Sequence, residues 1–151
     1  MIQEITEAAT EAGIVAIVSD SKTKLVTQLN VLTKKEDSPI LLISWDIGTT
    51  VEFDSNGFLK APRAKIVFML FEKPEKLEKA EYKDSSVEMQ GLFYEFIQLL
   101  YPKLSKYRRS VDERNISEIN TKLIPVQPLS HHSGVNGSFS MVVGVNRVCD
   151  G

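Results

Sequence analysis

The stretch from Pro128 to Gly151, PLSHHSGVNGSFSMVVGVNRVCDG, gathers the groups best suited to chemistry: both histidines, His131 and His132, the single cysteine, Cys149, and Asp150. Imidazole, thiolate and carboxylate together would suit a metal-dependent hydrolase or a cysteine nucleophile activated by a base. The spacing argues against both. Zinc ligands recur at short intervals such as C-x2-C or H-x3-H. Adjacent histidines in an extended segment point to opposite faces, and no further Cys or His exists to complete a ligand set. A cysteine this near the end of the sequence is poorly held for attack. These residues predict an exposed Ser/Gly/Asn loop followed by a strand, with no metal and no cofactor.

Three other groups of charged residues are candidates. The run KLSKYRR holds Lys103, Lys106, Arg108 and Arg109. It could touch nucleic-acid phosphate or an acidic partner; it equally suits a helix C-terminus, where cations meet the negative end of the dipole. Glu72, Glu75, Glu78 and Glu81 are interleaved with Lys73, Lys76, Lys79 and Lys83, the pattern of a solvated surface. Asp46 and Asp54 flank strands but lack a third acid at matching spacing for Mg²⁺. None of the phosphate-loop, dinucleotide, nucleophile-elbow or zincin motifs occurs. The residues give enzymatic function no positive support.

The elements that must position these groups belong to one domain. A chain of 151 residues, 42% hydrophobic and 25% charged, is long enough to bury an ordinary core. A net charge of −2 excludes a broadly basic nucleic-acid binder. One cysteine implies no intramolecular disulfide. No apolar run has membrane-spanning length, and the acidic N-terminus does not read as a secretory signal. The expected setting is a reducing cytoplasm.

Ile2, Ile5, Ala8, Ala9 and Ala12 recur at helical spacing before Gly13, a helix stop. IVAIVSD predicts a strand. SKTKLVTQLNVLTKK, Ser21 to Lys35, fits a helix better than a strand. PILLISW, Pro39 to Trp45, predicts a strand buried on both faces and therefore central. TTVEF predicts a short strand, DSNG at 54–57 a turn, and Ala64 to Glu72 a long strand. Ser85 with Glu88 reads as a capping box. It would open a helix whose apolar face holds Met89, Leu92, Phe93, Phe96, Ile97, Leu100, Leu104 and Tyr107, with Pro102 kinking or breaking it near Leu99. VDERNISEINTKL reads as a short helix or a turn and a helix. LIPVQPL reads as extended. The final strand is expected at 137–149, with Phe139, Met141, Val143 and Val145 on one face. The sum is an α+β domain: a mixed, mostly antiparallel sheet with helices on one face, a projecting loop or hairpin at about 46–62, and a long C-terminal strand.

SPILLISWD, the strand ending FEKPEK, the helix SSVEMQGLFYEFIQLL and the terminal SGVNGSFSMVVGVNRVCDG together resemble small neck and tail-completion proteins of tailed bacteriophages, particularly of Bacteroides-type hosts. The resemblance spans roughly Ser38 to Gly151. It implies a tail-terminator-like virion protein that forms a homo-oligomeric ring at the head–tail connector, contacts neighbouring neck or tail proteins, and is made in the bacterial host cytoplasm. Genomic DNA would be a passing contact. On that reading the inter-subunit contacts fall at Val51, Phe53 and Phe58 in the central loop, and at Phe139, Met141, Val143 and Val145 in the last strand. Removing Ser133 to Gly151 is then expected to abolish assembly and leave a partly folded monomer. Two readings from other classes stay open: an adaptor that binds a peptide along a sheet edge, and a hydrolase using His131, His132 and Asp150.

Overall fold

The computed structural model describes residues 2–19, 39–44, 49–72, 79–124 and 133–143. These residues form a six-stranded mixed sheet with two helices packed on one face, an α+β fold. Helix α1 spans Ile2–Glu11 and strand β1 Val15–Ser19. Strands β2, β3 and β4 follow at Ile40–Ser44, Thr49–Thr50 and Arg63–Glu72. Helix α2 is Lys79–Lys103, a 3₁₀ turn covers Ser105–Tyr107, and β5 and β6 are Ile116–Ile124 and Ser133–Val142. The strand order is β1-β2-β4-β6-β5, with β3 also on β4. Among the described strands only the β1–β2 pair is parallel.

Helix α1 ends as its sequence predicts. Gly13 adopts a positive φ of 76°, its N–H donates to Thr10, and the N–H of Ile14 donates to Ala9 at 2.8 Å. This Schellman arrangement satisfies orphan carbonyls and turns Ile14 into the core beside Ala9. PILLISW behaves as expected too: β2 is buried along its whole length and lies between β1 and β4. Leu41 and Ile43 join the main core under the helices, while Ile40 and Leu42 pack with Phe71 in a second cluster. Those alternate residues occupy opposite faces, as the two-residue strand period requires.

The main core centres on aromatic rings. Phe93 of α2 stacks on Phe68 of β4 with centroids 3.9 Å apart and planes at 10°. Phe139 of β6 lies 6.1 Å from Phe93 and 6.0 Å from Phe68. Met89, Phe93, Phe96, Ile97, Leu100 and Leu104 are all buried, so the predicted apolar face of α2 is the face that meets the sheet.

Four local expectations are corrected. Helix α2 begins at Lys79, so Ser85 and Glu88 are interior residues and not a capping box. Pro102 does not break the helix near Leu99. It sits in the last turn, and the helix closes at Lys103 before the 3₁₀ turn. The end is secured instead by the buried Asn115, whose Nδ2 donates to the Tyr101 carbonyl at 2.6 Å. VDERNISEINTKL contains a turn and then β5, not a helix. Finally, the last strand starts at Ser133 rather than 137, so five of the eight residues of the presumed SHHSGVNG loop are ladder. The helix proposed for Ser21 to Lys35 lies outside the described residues.

Strand β6 is internal, paired with β4 over its whole length and with β5 over most of it. Removing Ser133 to Gly151 would therefore take out the middle of the sheet, and a partly folded monomer is no longer the expected product.

Candidate functional site

Two surface features stand out: a hairpin that leads into β4, and the cleft beside it. The hairpin follows from its turn chemistry. Asp54 Oδ1 accepts from the N–H groups of Asn56 and Phe58, each at 2.9 Å. The Asp54 N–H donates to the Phe58 carbonyl, and Gly57 supplies a φ of 82° that a residue with a Cβ rarely adopts. DSNG is thus the tip. Below it Phe53 bridges Leu59, Lys60 N–H donates to Glu52, and β3 pairs with β4. The rungs leave apolar side chains in solvent: Val51 is 50% exposed, Phe53 68% and Phe58 71%.

The face of the sheet opposite the helices is polar where β4, β6 and β5 run side by side. Arg63 starts β4 on that face. Its Nε donates to Ser140 Oγ on β6 at 3.2 Å, and its Nη2 donates to Ser117 Oγ on β5 at 2.8 Å. Its Nη1 donates to the Arg114 carbonyl at 2.5 Å. Serine is small enough for the guanidinium to lie across β6. Opposite the hairpin, the loop at 109–115 is held by Glu113, whose carboxylate accepts from the Ala61 N–H at 2.8 Å and the Arg109 N–H at 2.7 Å. Burial would raise the pKa of Glu113. These backbone donors, with that of Ser110 and the charge of Arg63, outweigh it and lower it.

Between hairpin, loop and sheet lies a cleft of about 830 Å³. Lys65, Arg109 and Arg114 also line it, and among the described residues their side chains have no hydrogen-bond or ion-pair partner. Glu118 sits at its edge with a φ of 54°, where β5 bulges between Ser117 and Asn120. No sequence pattern marked Arg63, Ser117 and Ser140, because they are far apart in the chain. Their only local signal is the polar alternation of Asn136, Ser138 and Ser140 in β6.

The basic run is divided. Lys103 Nζ lies 2.7 Å from Glu11 and 3.9 Å from Glu7. Lys106 Nζ lies 2.5 Å from Glu4 Oε1, which also accepts from Tyr107 Oη at 2.7 Å. Both lysines therefore have an acidic partner within this chain, on α1. Hydrogen bonding to Glu11 raises the pKa of Lys103, and hydrogen bonding to Glu4 raises that of Lys106. Burial opposes ionisation of Glu4, yet the donors Lys106 and Tyr107 prevail and hold it far below the usual carboxylate range. Arg108 is half-buried, and Arg109 is exposed and faces the cleft.

Phe139, Met141 and Val143 are buried, the first two completely, in the chain's own core. The expected inter-subunit role for these three is corrected, since the apolar face of β6 is already covered by α2. Val145, His131, His132, Cys149 and Asp150 lie outside the described residues, as do Asp46, Glu75 and Glu78. Among the described residues no group of three or more His, Cys, Asp or Glu side chains is placed to hold a metal ion, and no helix is long and apolar enough to cross a membrane. No protein-family model matches the chain, and no curated protein matches it.

Proposed function

We propose that this chain is a structural, non-enzymatic protein that self-associates into a closed ring, of the tail-terminator or head–tail connector kind found in tailed bacteriophages. The observation that supports this reading is the hairpin: a well-braced projection whose Val51, Phe53 and Phe58 face solvent. Apolar side chains grouped on a rigid projection mark a contact surface. A second surface with exposed apolar side chains lies elsewhere on the chain, along the flank of α2, where Tyr94 Oη also reaches Thr121 of β5 at 3.1 Å. Val87, Tyr94 and Tyr101 are 49%, 43% and 37% exposed and repeat every second turn, with Gly91 leaving a gap between the first two. Two different patches on one chain suit a heterologous contact, and such contacts close into rings when their rotation closes. The hairpin of one copy would seat on α2 of the next, and neighbouring neck or tail proteins would stack on the ring. The phage setting rests on the resemblance of the strand, helix and terminal segments to neck proteins.

Mixed cysteine cross-linking tests the contact. In a Cys149→Ser background, Phe53→Cys and Gly91→Cys proteins are prepared separately. A covalent dimer that forms only on mixing the two is expected. Equal cross-linking within each variant alone, or none in the mixture, would refute the head-to-tail arrangement.

A further inference from the structure

The cleft between the hairpin and the 109–115 loop shares Phe58 with the proposed ring contact, but its charged and hydroxyl lining is not used there. Its volume, about 830 Å³, is in the range of small-ligand sites. Its lining holds five carboxylates (Glu52, Asp54, Asp112, Glu113 and Glu118) and five cations (Lys60, Arg63, Lys65, Arg109 and Arg114), so its formal charges balance. Their engagement differs: Asp54 and Glu113 turn carboxylate oxygens onto backbone N–H groups, Glu52 lies 3.9 Å from Lys60, and among the described residues only the Asp112 and Glu118 carboxylates have no side-chain partner, against three such cations. On the cationic side, Arg63 donates its hydrogen bonds to neutral acceptors, with the Glu113 charge near enough to feel it. Lys65, Arg109 and Arg114 project unpaired N–H donors around it. The hydroxyls of Ser117 and Ser140 form the floor between them. One fixed guanidinium and three unpartnered cationic side chains over a hydroxyl-lined floor suit an anion with several oxygens, and guanidinium groups favour the phosphate geometry.

We propose that this cleft binds a phosphate group, with Arg63 as the fixed anchor and Lys65, Arg109 and Arg114 closing on the remaining oxygens. The phosphate could belong to a small phosphorylated molecule or to a nucleic-acid backbone, and the shared chemistry is the same. The inference does not depend on ring assembly.

The test is titration of the full chain, followed by ¹H–¹⁵N NMR, with inorganic pyrophosphate and separately with a short oligothymidylate. Ionic strength is matched with chloride throughout. The variant Lys65→Ala/Arg109→Ala removes two donors without touching Arg63's hydrogen bonds. Lys122→Ala, an exposed lysine of β5 that does not line the cleft, controls for general charge. Saturable shifts at residues of the cleft are expected, about tenfold or more weaker in the double variant and unchanged in Lys122→Ala. Saturation by pyrophosphate would identify a free phosphate ligand, and saturation by the oligonucleotide alone would identify a backbone. No saturable shift with either probe, or equal weakening in Lys122→Ala, would overturn the proposal.

Discussion

Replacing Glu4 by glutamine gives a prediction whose size and pH dependence both follow from the structure. The carboxylate is 5% exposed and joins α1 to the turn after α2. Glu4→Gln keeps the shape but removes the charge that Tyr107 Oη and Lys106 Nζ address. A hydrogen bond to a charged group contributes about 1.5–3 kcal/mol. The lysine is 61% exposed, so its interaction is screened by solvent and adds nothing to the sum. The expected loss near neutral pH is about 1.5–3 kcal/mol, or about 4–10 °C in Tm for a domain of this size. The folded pKa of Glu4 lies below its ordinary value of 4.5. Its contribution is therefore complete above the unfolded pKa and lost as pH falls from there towards the folded pKa. Glu113 is depressed as well, but it is present in both proteins and cancels. Urea unfolding of the two proteins from pH 3 to pH 7 measures the gap directly. A constant difference above about pH 5.5 that narrows below 4.5 is expected. A gap independent of pH across this range would refute the reasoning.

Phe93→Ala removes the ring at the centre of the aromatic cluster and should cost about 3–5 kcal/mol in chemical denaturation, more than Glu4→Gln; a loss under about 1 kcal/mol would show that the core repacks freely. Gly137→Ala places a methyl 1.8 Å from the Asn120 carbonyl oxygen, so β5 should separate from β6 at the bulge. Hydrogen exchange should then accelerate at Asn120 and Thr121, with β2 and β4 unaffected, and unchanged protection in β5 would contradict the register described. The exposed pair Phe53→Ser/Phe58→Ser should leave monomer stability within about 0.5 kcal/mol of the native value, as judged by thermal unfolding.

Much of the fold was legible because its signals were local. Gly13 ends α1, PILLISW is a doubly buried strand, DSNG is a turn, and the apolar face of α2 was named residue by residue. Strand β5 carries a helical spacing in its sequence. Ile116, Ile119 and Leu123 are spaced three and four apart, the helical interval. In the sheet, the bulge at Glu118 shifts the register, so Ile116 pairs with Met141 while Leu123 pairs with Val135. One inserted residue turns a strand's alternation into an apparent helical period. Ser85 misled similarly, since a capping box inside a longer helix looks the same in sequence. The candidate cleft was not legible at all. Arg63, Ser117 and Ser140 meet only through the strand order β4-β6-β5, and no spacing rule reaches that far. Phe139, Met141 and Val143 of the terminal segment do share a buried side, and that side meets α2.

Self-association through the hairpin is the claim on which the account turns. The most direct test is negative-stain electron microscopy with light-scattering mass determination on the native chain at high concentration, alongside Phe53→Ser/Phe58→Ser. Closed rings of uniform diameter and mass for the native protein, and folded monomers for the double variant, are the predicted result. A native chain that stays monomeric, or rings that persist in the variant, would contradict it.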